Sequence, residues 1–255
     1  MKPRSRIHTI EAIVYPIVGI VAVLGLWQAY VTVFAVNPIV LPGPIAIAKA
    51  SVKHFDTLLE QTWPTLAESI YGFALAVLIG VPLAVCVANS RILNLTFYPI
   101  LIATQSIPKV AVAPIILVWF GVGMESKLVI AFLVAFFPIV VDTATGLRAT
   151  PPGLLELARS VSASPSQTFW KVQFPAAMPF IISGAKVAVT LAVIGAVIGE
   201  FVGSNEGLGN LLLAANSQLD GPLAWAALVW LSILGIGLFF LVVVAERVLM
   251  PWGHH

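Results

Sequence analysis

Three stretches of this chain carry no charged side chain over a length that can cross a lipid bilayer. Ala12 to Ala48 is 37 residues without one, Ser69 to Ser90 is 22, and Gly221 to Ala245 is 25. A bilayer core takes about 20 predominantly apolar residues as a helix. Inside hydrocarbon each backbone N–H and C=O must bond internally, so a helix is the form such a stretch adopts. The composition agrees. Only 9% of the 255 residues are charged and 60% are apolar, where soluble domains carry about 25% charged residues. A disordered chain, a nucleic-acid binder and an ordinary cytosolic enzyme are excluded, and a net charge of +2 leaves no basic footprint. The single cysteine, Cys86, excludes a disulfide framework and a cysteine-based metal site.

Two shorter runs and one interrupted run complete the count. Ile92 to Met124 holds one charge, Lys109. Leu128 to Val141 extends past Asp142 to about Gly146, and Val187 to Gly199 extends in both directions. Six spans follow, near 14–36, 66–88, 95–119, 127–146, 180–202 and 222–246, and residues 1–255 read as a single membrane domain. The first run is too long for a removed signal peptide and lacks its small-residue cleavage pattern. The fold class is an all-α polytopic membrane protein. Lys and Arg set the orientation. With the N-terminus in the cytoplasm, Lys2, Arg4, Arg6, Arg91, Arg148, Arg159, Lys171 and Arg247 lie inside. Lys49, Lys53 and Lys127 lie outside, and Lys109 and Lys186 fall at or near membrane depth. An even number of spans returns the C-terminus to the cytoplasm, where His254 and His255 read as tail or tag remnant.

The outer segment from Asn37 to Thr65 contains the turn Leu41-Pro42-Gly43-Pro44, with Pro44 suited to a first helical position. Ile45, Ala48, Val52, Phe55 and Leu59 then recur at helical spacing, with Lys49, Lys53, Asp56 and Glu60 on the other face. This predicts an amphipathic helix, either at the outer interface or packed on the protein.

The longest inside segment runs from Leu147 to Pro179. Thr150 is placed to cap a helix opening at Pro151 and continuing through Leu154 to Val161. Ser162-Ala163 breaks it. Ser164 then caps a second helix with Pro165 first and Gln167 completing a capping box, and Pro175 is expected to stop it. Glu156 lies on the first helix and Phe169 and Trp170 on the second. Aromatics on a water-facing loop either fold back on the membrane domain or enter a partner's groove.

Glu156-Leu157-Ala158, three residues, Ser162, nine residues, then Val172-Gln173-Phe174-Pro175 resembles the E-A-A, Gly, I-x-L-P loop of ABC importer permeases. The spacing matches throughout, and Ser162 stands where the family usually has glycine. A left-handed turn there costs serine about 1 kcal/mol more. Leu41 to Pro44, Gln105-Ser106-Ile107-Pro108-Lys109, Trp119 to Gly123 and Glu206-Gly207-Leu208-Gly209 look like the nitrate, sulfonate and taurine permease group. The resemblance implies a six-helix, type I permease of the bacterial inner membrane. It implies a second permease subunit, two ATPase subunits that bind ATP and Mg, and an extracytoplasmic solute-binding protein. The helix beginning at Ser164 would then be the coupling helix, within a coupling loop comprising 147–179.

The chain has no Gly-Lys pair, so it cannot hold a phosphate-binding G-x-x-x-x-G-K-[ST] loop. No cofactor, metal site or catalytic set is expected in this chain. Ionisable groups at membrane depth are functional candidates, because hydrocarbon disfavours them by several kcal/mol. Lys109 follows directly on Pro108, which breaks the third span, with Gln105 and Ser106 beside it. A lysine there either lines a path for an anionic solute, or snorkels or pairs with a carboxylate. Asp142 either faces the inner vestibule, pairs with Arg148 or caps loop backbone. Glu200 belongs to an outer gate or bonds the segment Gly203 to Gly221. The rival class is an ion-coupled secondary transporter working without an ATPase, which predicts inverted repeats and midplane carboxylates.

Overall fold

A computed structural model describes residues 6–250, with side chains from Val14 onward. Lys2, Arg4, His254 and His255 lie outside the described residues, and the side chains of Arg6 and His8 outside the described side chains. The described chain is helical without a strand. In order the helices are α1 (Arg6–Val33), α2 (Pro44–Lys53), α3 (Phe55–Asn89), α4 (Arg91–Gln105) and α5 (Lys109–Phe120). There follow α6 (Met124–Arg148), α7 (Pro152–Ser160), α8 (Pro165–Thr168), a π-helical turn (Phe169–Gln173), α9 (Phe174–Gly203), α10 (Leu208–Ser217) and α11 (Gly221–Leu249). Two compact units are formed, one from residues 1–58 with 211–229 and one from 59–210 with 230–255.

Among the described residues five helical runs are long and apolar enough to span a membrane: Val14–Val33, Phe55–Asn89, Met124–Arg148, Pro165–Gly203 and Gly221–Leu249. The third expected span, 95–119, is not one helix. It is α4 and α5, bent by 100°. Pro108 has no N–H to give to α4 and restricts Ile107 before it, so α4 ends at Gln105 and α5 starts afresh at Lys109. The second span is longer than expected, because α3 begins at Phe55, directly after His54 closes α2.

Three helices make the centre of the second unit, and small residues bring them together. Every fourth residue of α6, Lys127, Ala131, Ala135 and Ile139, is buried. Glu68, Gly72, Ala76, Gly80 and Ala84 are buried at the same step on α3, and Gly184, Ala188, Ala192, Ala196 and Glu200 on α9. A four-residue step keeps side chains on one ridge of a helix. A Cβ added to Gly72 would lie 2.5 Å from the Ala131 Cβ, and one added to Gly80 would lie 2.9 Å from Ile139 Cγ2. On the other side, a Cβ on Gly195 would lie 2.6 Å from the Ala131 Cα, and one on Gly146 2.6 Å from the Phe180 Cβ. Lipid tails are as apolar as leucine, so close approach of backbones, rather than apolar burial, holds such helices together.

The contact order sets the topology. Moving from Gly72 to Gly80 moves the partner forward from Ala131 to Ile139, so α3 and α6 are parallel. On α6 and α9 the partners run in opposite directions, so these two are antiparallel. The chain therefore leaves α3 at one end and re-enters α6 at the other, and the bent pair α4–α5 carries it across. The loop 149–173 lies at the end where α6 finishes and α9 begins. Glu68, Lys127 and Glu200 lie at the opposite end.

Gly195→Val forces a branched side chain into the α6 backbone, and overpacking of this kind costs about 1–3 kcal/mol. The expected result is a lower unfolding midpoint for the purified protein in detergent. Gly25→Ala, whose added Cβ meets nothing within 4 Å, should leave the midpoint unchanged.

Candidate functional site

The loop between α6 and α9 is ordered by its own hydrogen bonds. α7 begins one residue later than expected. Pro152 holds Pro151 extended, at ψ 129°, so Pro151 is the N-cap. Thr150 does not cap. Its hydroxyl is buried and donates to the Leu147 carbonyl at 3.0 Å. α7 ends with Ser162 in the left-handed region at φ 56°. The Ser162 N–H donates to the Arg159 carbonyl (2.9 Å) and the Ala163 N–H to the Ala158 carbonyl (3.0 Å). This six-to-one closure normally uses glycine at the left-handed position, so Ser162 does what a glycine would do there. Ala158 is buried beneath it. The Ser164 Oγ accepts from the Gln167 N–H at 3.3 Å, and the Gln167 side-chain oxygen accepts from the Ser164 N–H at 2.9 Å. The capping box opening at Ser164 with Pro165 at the first turn is formed.

Pro175 does not stop this second helix. The run from Pro165 to Gly203 is helical throughout. The π-helical turn at Phe169–Gln173 shifts the bonding to a five-residue step, with the Phe174 N–H donating to the Phe169 carbonyl. A widened turn relieves the clash a proline ring makes with the carbonyl four residues back, here that of Lys171.

The loop's aromatics separate into two roles. Phe169 is half-buried and packs on Trp170 (5.1 Å between centroids) and Phe174 (5.9 Å). Trp170 is 61% exposed. Leu154, Leu157 and Val161 of α7 are exposed too. Between the two helices lies a cleft of about 420 Å³, lined by Leu154, Leu157, Val161, Gln167 and Lys171. The presented apolar surface is therefore Trp170 with one side of α7, while Phe169 anchors the loop internally. Glu156 is exposed and makes no ion pair or hydrogen bond among the described residues.

At the α4–α5 break, Gln105, Ser106 and Pro108 are exposed. The Lys109 ammonium donates to the Gln105 carbonyl at 2.8 Å and sits 5.3 Å from the centre of the Phe137 ring. It thus satisfies a carbonyl left free where α4 ends. A cavity of about 230 Å³ opens beside it, lined by Ile107, Val112, Ile116, Leu133 and Phe137. Asp142 is half-buried against Gly184 of α9, where an added Cβ would be 2.9 Å from its own. It does not pair with Arg148. That guanidinium donates to Asn94 Oδ1 (2.5 Å) and lies over the Tyr98 ring (4.6 Å). Lys186 pairs with Glu246 of α11 at 2.6 Å.

The far end of the bundle holds a charge cluster that the sequence reading had dispersed. Lys127, expected in an outer loop, is only 3% exposed and is ion-paired with the fully buried Glu68. Its ammonium also donates to Ser204 Oγ (3.1 Å) and lies 3.6 Å from Glu206. Glu200 is 1% exposed. One of its oxygens accepts from the Thr65 hydroxyl (2.6 Å) and the other from the Gly209 N–H (2.5 Å). Gln61 and Thr65 accept from the N–H groups of Gly207 and Leu208, at 2.6 and 2.9 Å. Gly207 is left-handed at φ 101°, and its Cβ would strike the Glu200 carboxylate. Glu200 thus clasps the turn 204–210 from a buried position, bonding the segment that begins at Gly203. Glu68 and Lys127 carried a signal in the sequence. Each stands at the head of a buried row of small residues spaced by four.

Helices of this length and apolarity, joined by an ordered two-helix loop, define a multi-span membrane protein. Residues 76–251 match the family described as binding-protein-dependent transport system inner membrane component. The chain belongs to that family, the inner-membrane permease subunits of ABC transporters, and is not an enzyme. It is 38% identical to a Haemophilus influenzae protein named as an ABC transporter permease, over 88% of this chain and 92% of the relative. It is 37% identical to the formylaminopyrimidine transport permease ThiX of Halalkalibacterium halodurans, over 85% and 87%. Permeases named for aliphatic sulfonates in Bacillus subtilis and for taurine in Escherichia coli are relatives at 29% and 26% identity, covering 98% and 92% of this chain and 90% and 88% of theirs. Among solved structures, the inward-facing MetNI methionine ABC transporter matches with a TM-score of 0.66 at 26% identity, over 75% of this chain and 95% of its own.

Lys127→Met leaves the Glu68 charge buried without a partner, a change worth about 3 kcal/mol. It should lower the unfolding midpoint in detergent. Adding Glu68→Gln should restore most of the loss, and failure of the double variant to recover would remove the ion pair as the cause.

Proposed function

We propose that this chain is the transmembrane subunit of an ATP-driven importer. In that reading two permease subunits form the path, two ATPase subunits bind ATP and Mg and dock on the loop 147–179, and an extracytoplasmic protein delivers the solute. The observation that carries it is the loop. It is held rigid by a capping box and a six-to-one closure, and it presents Trp170, Leu154, Leu157 and Val161 to its surroundings. A water-facing loop would bury or lack these side chains unless a partner covered them. The Lys and Arg balance supports cytoplasmic termini and a cytoplasmic loop. The turn 204–210, at the other end of the bundle, then faces the delivery protein, with Asn205 and Glu206 exposed.

The solute is small and carries an anionic or strongly accepting group. Lys109 is its partner in this reading, exchanging the Gln105 carbonyl for the solute at the broken span. Apart from Lys109 and Thr104 the cavity is lined by apolar residues, and its 230 Å³ admits only a small molecule. A sulfonate and a formylated pyrimidine, the solutes for which relatives are named, both offer such an oxygen.

The test reconstitutes the protein with the ATPase and binding protein encoded beside it and measures uptake and ATP hydrolysis on one preparation. An exposed aromatic anchor is worth about 2 kcal/mol at an interface, or about 30-fold in affinity. Trp170→Ala should therefore weaken ATPase association by that order and lower coupled uptake, with the unfolding midpoint unchanged. Uptake driven by an ion gradient with no ATPase present would overturn the importer reading in favour of a secondary transporter.

In the same vesicles, Lys109→Met and Lys109→Glu should assemble normally and lose most uptake. Parental uptake by both would remove Lys109 from the path while leaving the ATPase result standing.

A further inference from the structure

α2 has two apolar faces, and only one of them is used within the fold. Ile47 and Ala50 are buried. On the opposite side Ile45, Ala48 and Val52 form an exposed row, with Val52 at 78% exposure. The row expected to pack from helical spacing is thus the row left uncovered. Lys49 and Lys53 are exposed beside it, and all five residues line one shallow groove. From Asn37 to Phe55 the chain has these two lysines and no acidic residue; Asp56 and Glu60 follow at the start of α3, and neither lysine makes an ion pair among the described residues.

The depth of α2 follows from its tether. α1 is exposed and apolar along almost its whole described length, as a lipid-facing span must be. Its far end carries Tyr30 and Phe34, an exposed ring pair with centroids 4.9 Å apart. Aromatic residues concentrate at the level of the lipid headgroups. The Gln28 side-chain oxygen accepts from the Ile45 N–H at 3.1 Å, and Gly43 leaves room for that side chain. The first turn of α2 is therefore fixed to α1 less than one helical turn from its aromatic end.

We propose that α2 lies in the membrane–water interface and binds anionic phospholipid. Ile45, Ala48 and Val52 enter the acyl boundary, and Lys49 and Lys53 hold lipid phosphates. An amphipathic helix with lysines flanking its apolar face binds a charged bilayer in this way. The occupant is lipid rather than a second protein because the uncovered row is continuous in depth with the lipid-facing end of α1. Two exposed lysines outside any ion pair also complement a phosphate surface. The inference stands on the membrane fold and does not depend on the importer reading.

The test uses the full chain in nanodiscs, with Cys86→Ser as background and a spin label at Val52→Cys. The label should be reached by oxygen and shielded from a water-soluble nickel chelate. Free access by the chelate would overturn the proposal, and so would immobilisation with shielding from both reagents, which marks a protein cover. Independently, phosphatidylglycerol retained after purification should be counted by native mass spectrometry against phosphatidylcholine. Each lysine near an anionic surface contributes about fivefold in binding. Lys49→Gln with Lys53→Gln should therefore reduce phosphatidylglycerol retention by about 25-fold while the unfolding midpoint holds. Unchanged retention would overturn the phosphate contacts.

Discussion

The close approach of α3, α6 and α9 is what the rest of this structure rests on. Ala131 is pressed between Gly72 on one side and Gly195 on the other. In lipid, helices gain little from burying apolar surface against each other, so contact area at short range must replace it. Rows of glycine and alanine spaced by four supply that contact, and they also fix register. Once Gly72 meets Ala131, Glu68 must meet Lys127 one turn away. The buried ion pair is a consequence of the same registry, and a shift by one turn would leave both charges in an apolar environment. This is how a polar end can be specified in a bundle whose middle has almost no polar side chain.

The clasp at that end and the loop at the other are built on opposite principles. At the clasp, Gln61 and Thr65 of α3 and Glu200 of α9 bond the backbone of a single turn, 204–210, whose glycines let them approach, while Lys127 of α6 meets its side chains. The donors and acceptors come from residues far apart in sequence. In the loop the stabilising bonds are local, between Ser164 and Gln167 and across the end of α7. The helical run through the π-turn joins α8 to α9 without an intervening coil. In the importer reading, a displacement imposed at Trp170 has a continuous helical route into the packed core.

Polar residues at membrane depth are mostly held by their surroundings. Lys186 has Glu246, Arg148 has Asn94 and Tyr98, and Glu200 has Thr65 and Gly209. Lys109 is held by a main-chain carbonyl rather than a carboxylate. In the importer reading the solute takes over that bond, because a neutral carbonyl competes weakly with an anion for an ammonium. The break at Pro108 thus creates both the free carbonyl and the cation that covers it.

The sequence by itself determined the helical class, the approximate spans, the break at Pro108 and the capped loop at Ser164. Each of these depends on neighbours within a few residues: apolar length, a missing N–H, a side chain reaching its own backbone. It also marked Ser162 as a residue forced into a glycine's conformation. The tertiary structure decided what faces what. It drew Lys127 inside to Glu68, turned Arg148 from Asp142 to Asn94, and buried Glu200 beneath the 204–210 turn. It divided Phe169 from Trp170, and it turned the packed face of α2 to Ile47 and Ala50, leaving the regular apolar row outside. A periodic pattern shows that a helix has faces, but in a membrane an apolar face is equally suited to lipid or protein. Only the fit of small residues on the opposing helices separates the two, and that fit depends on residues distant in sequence.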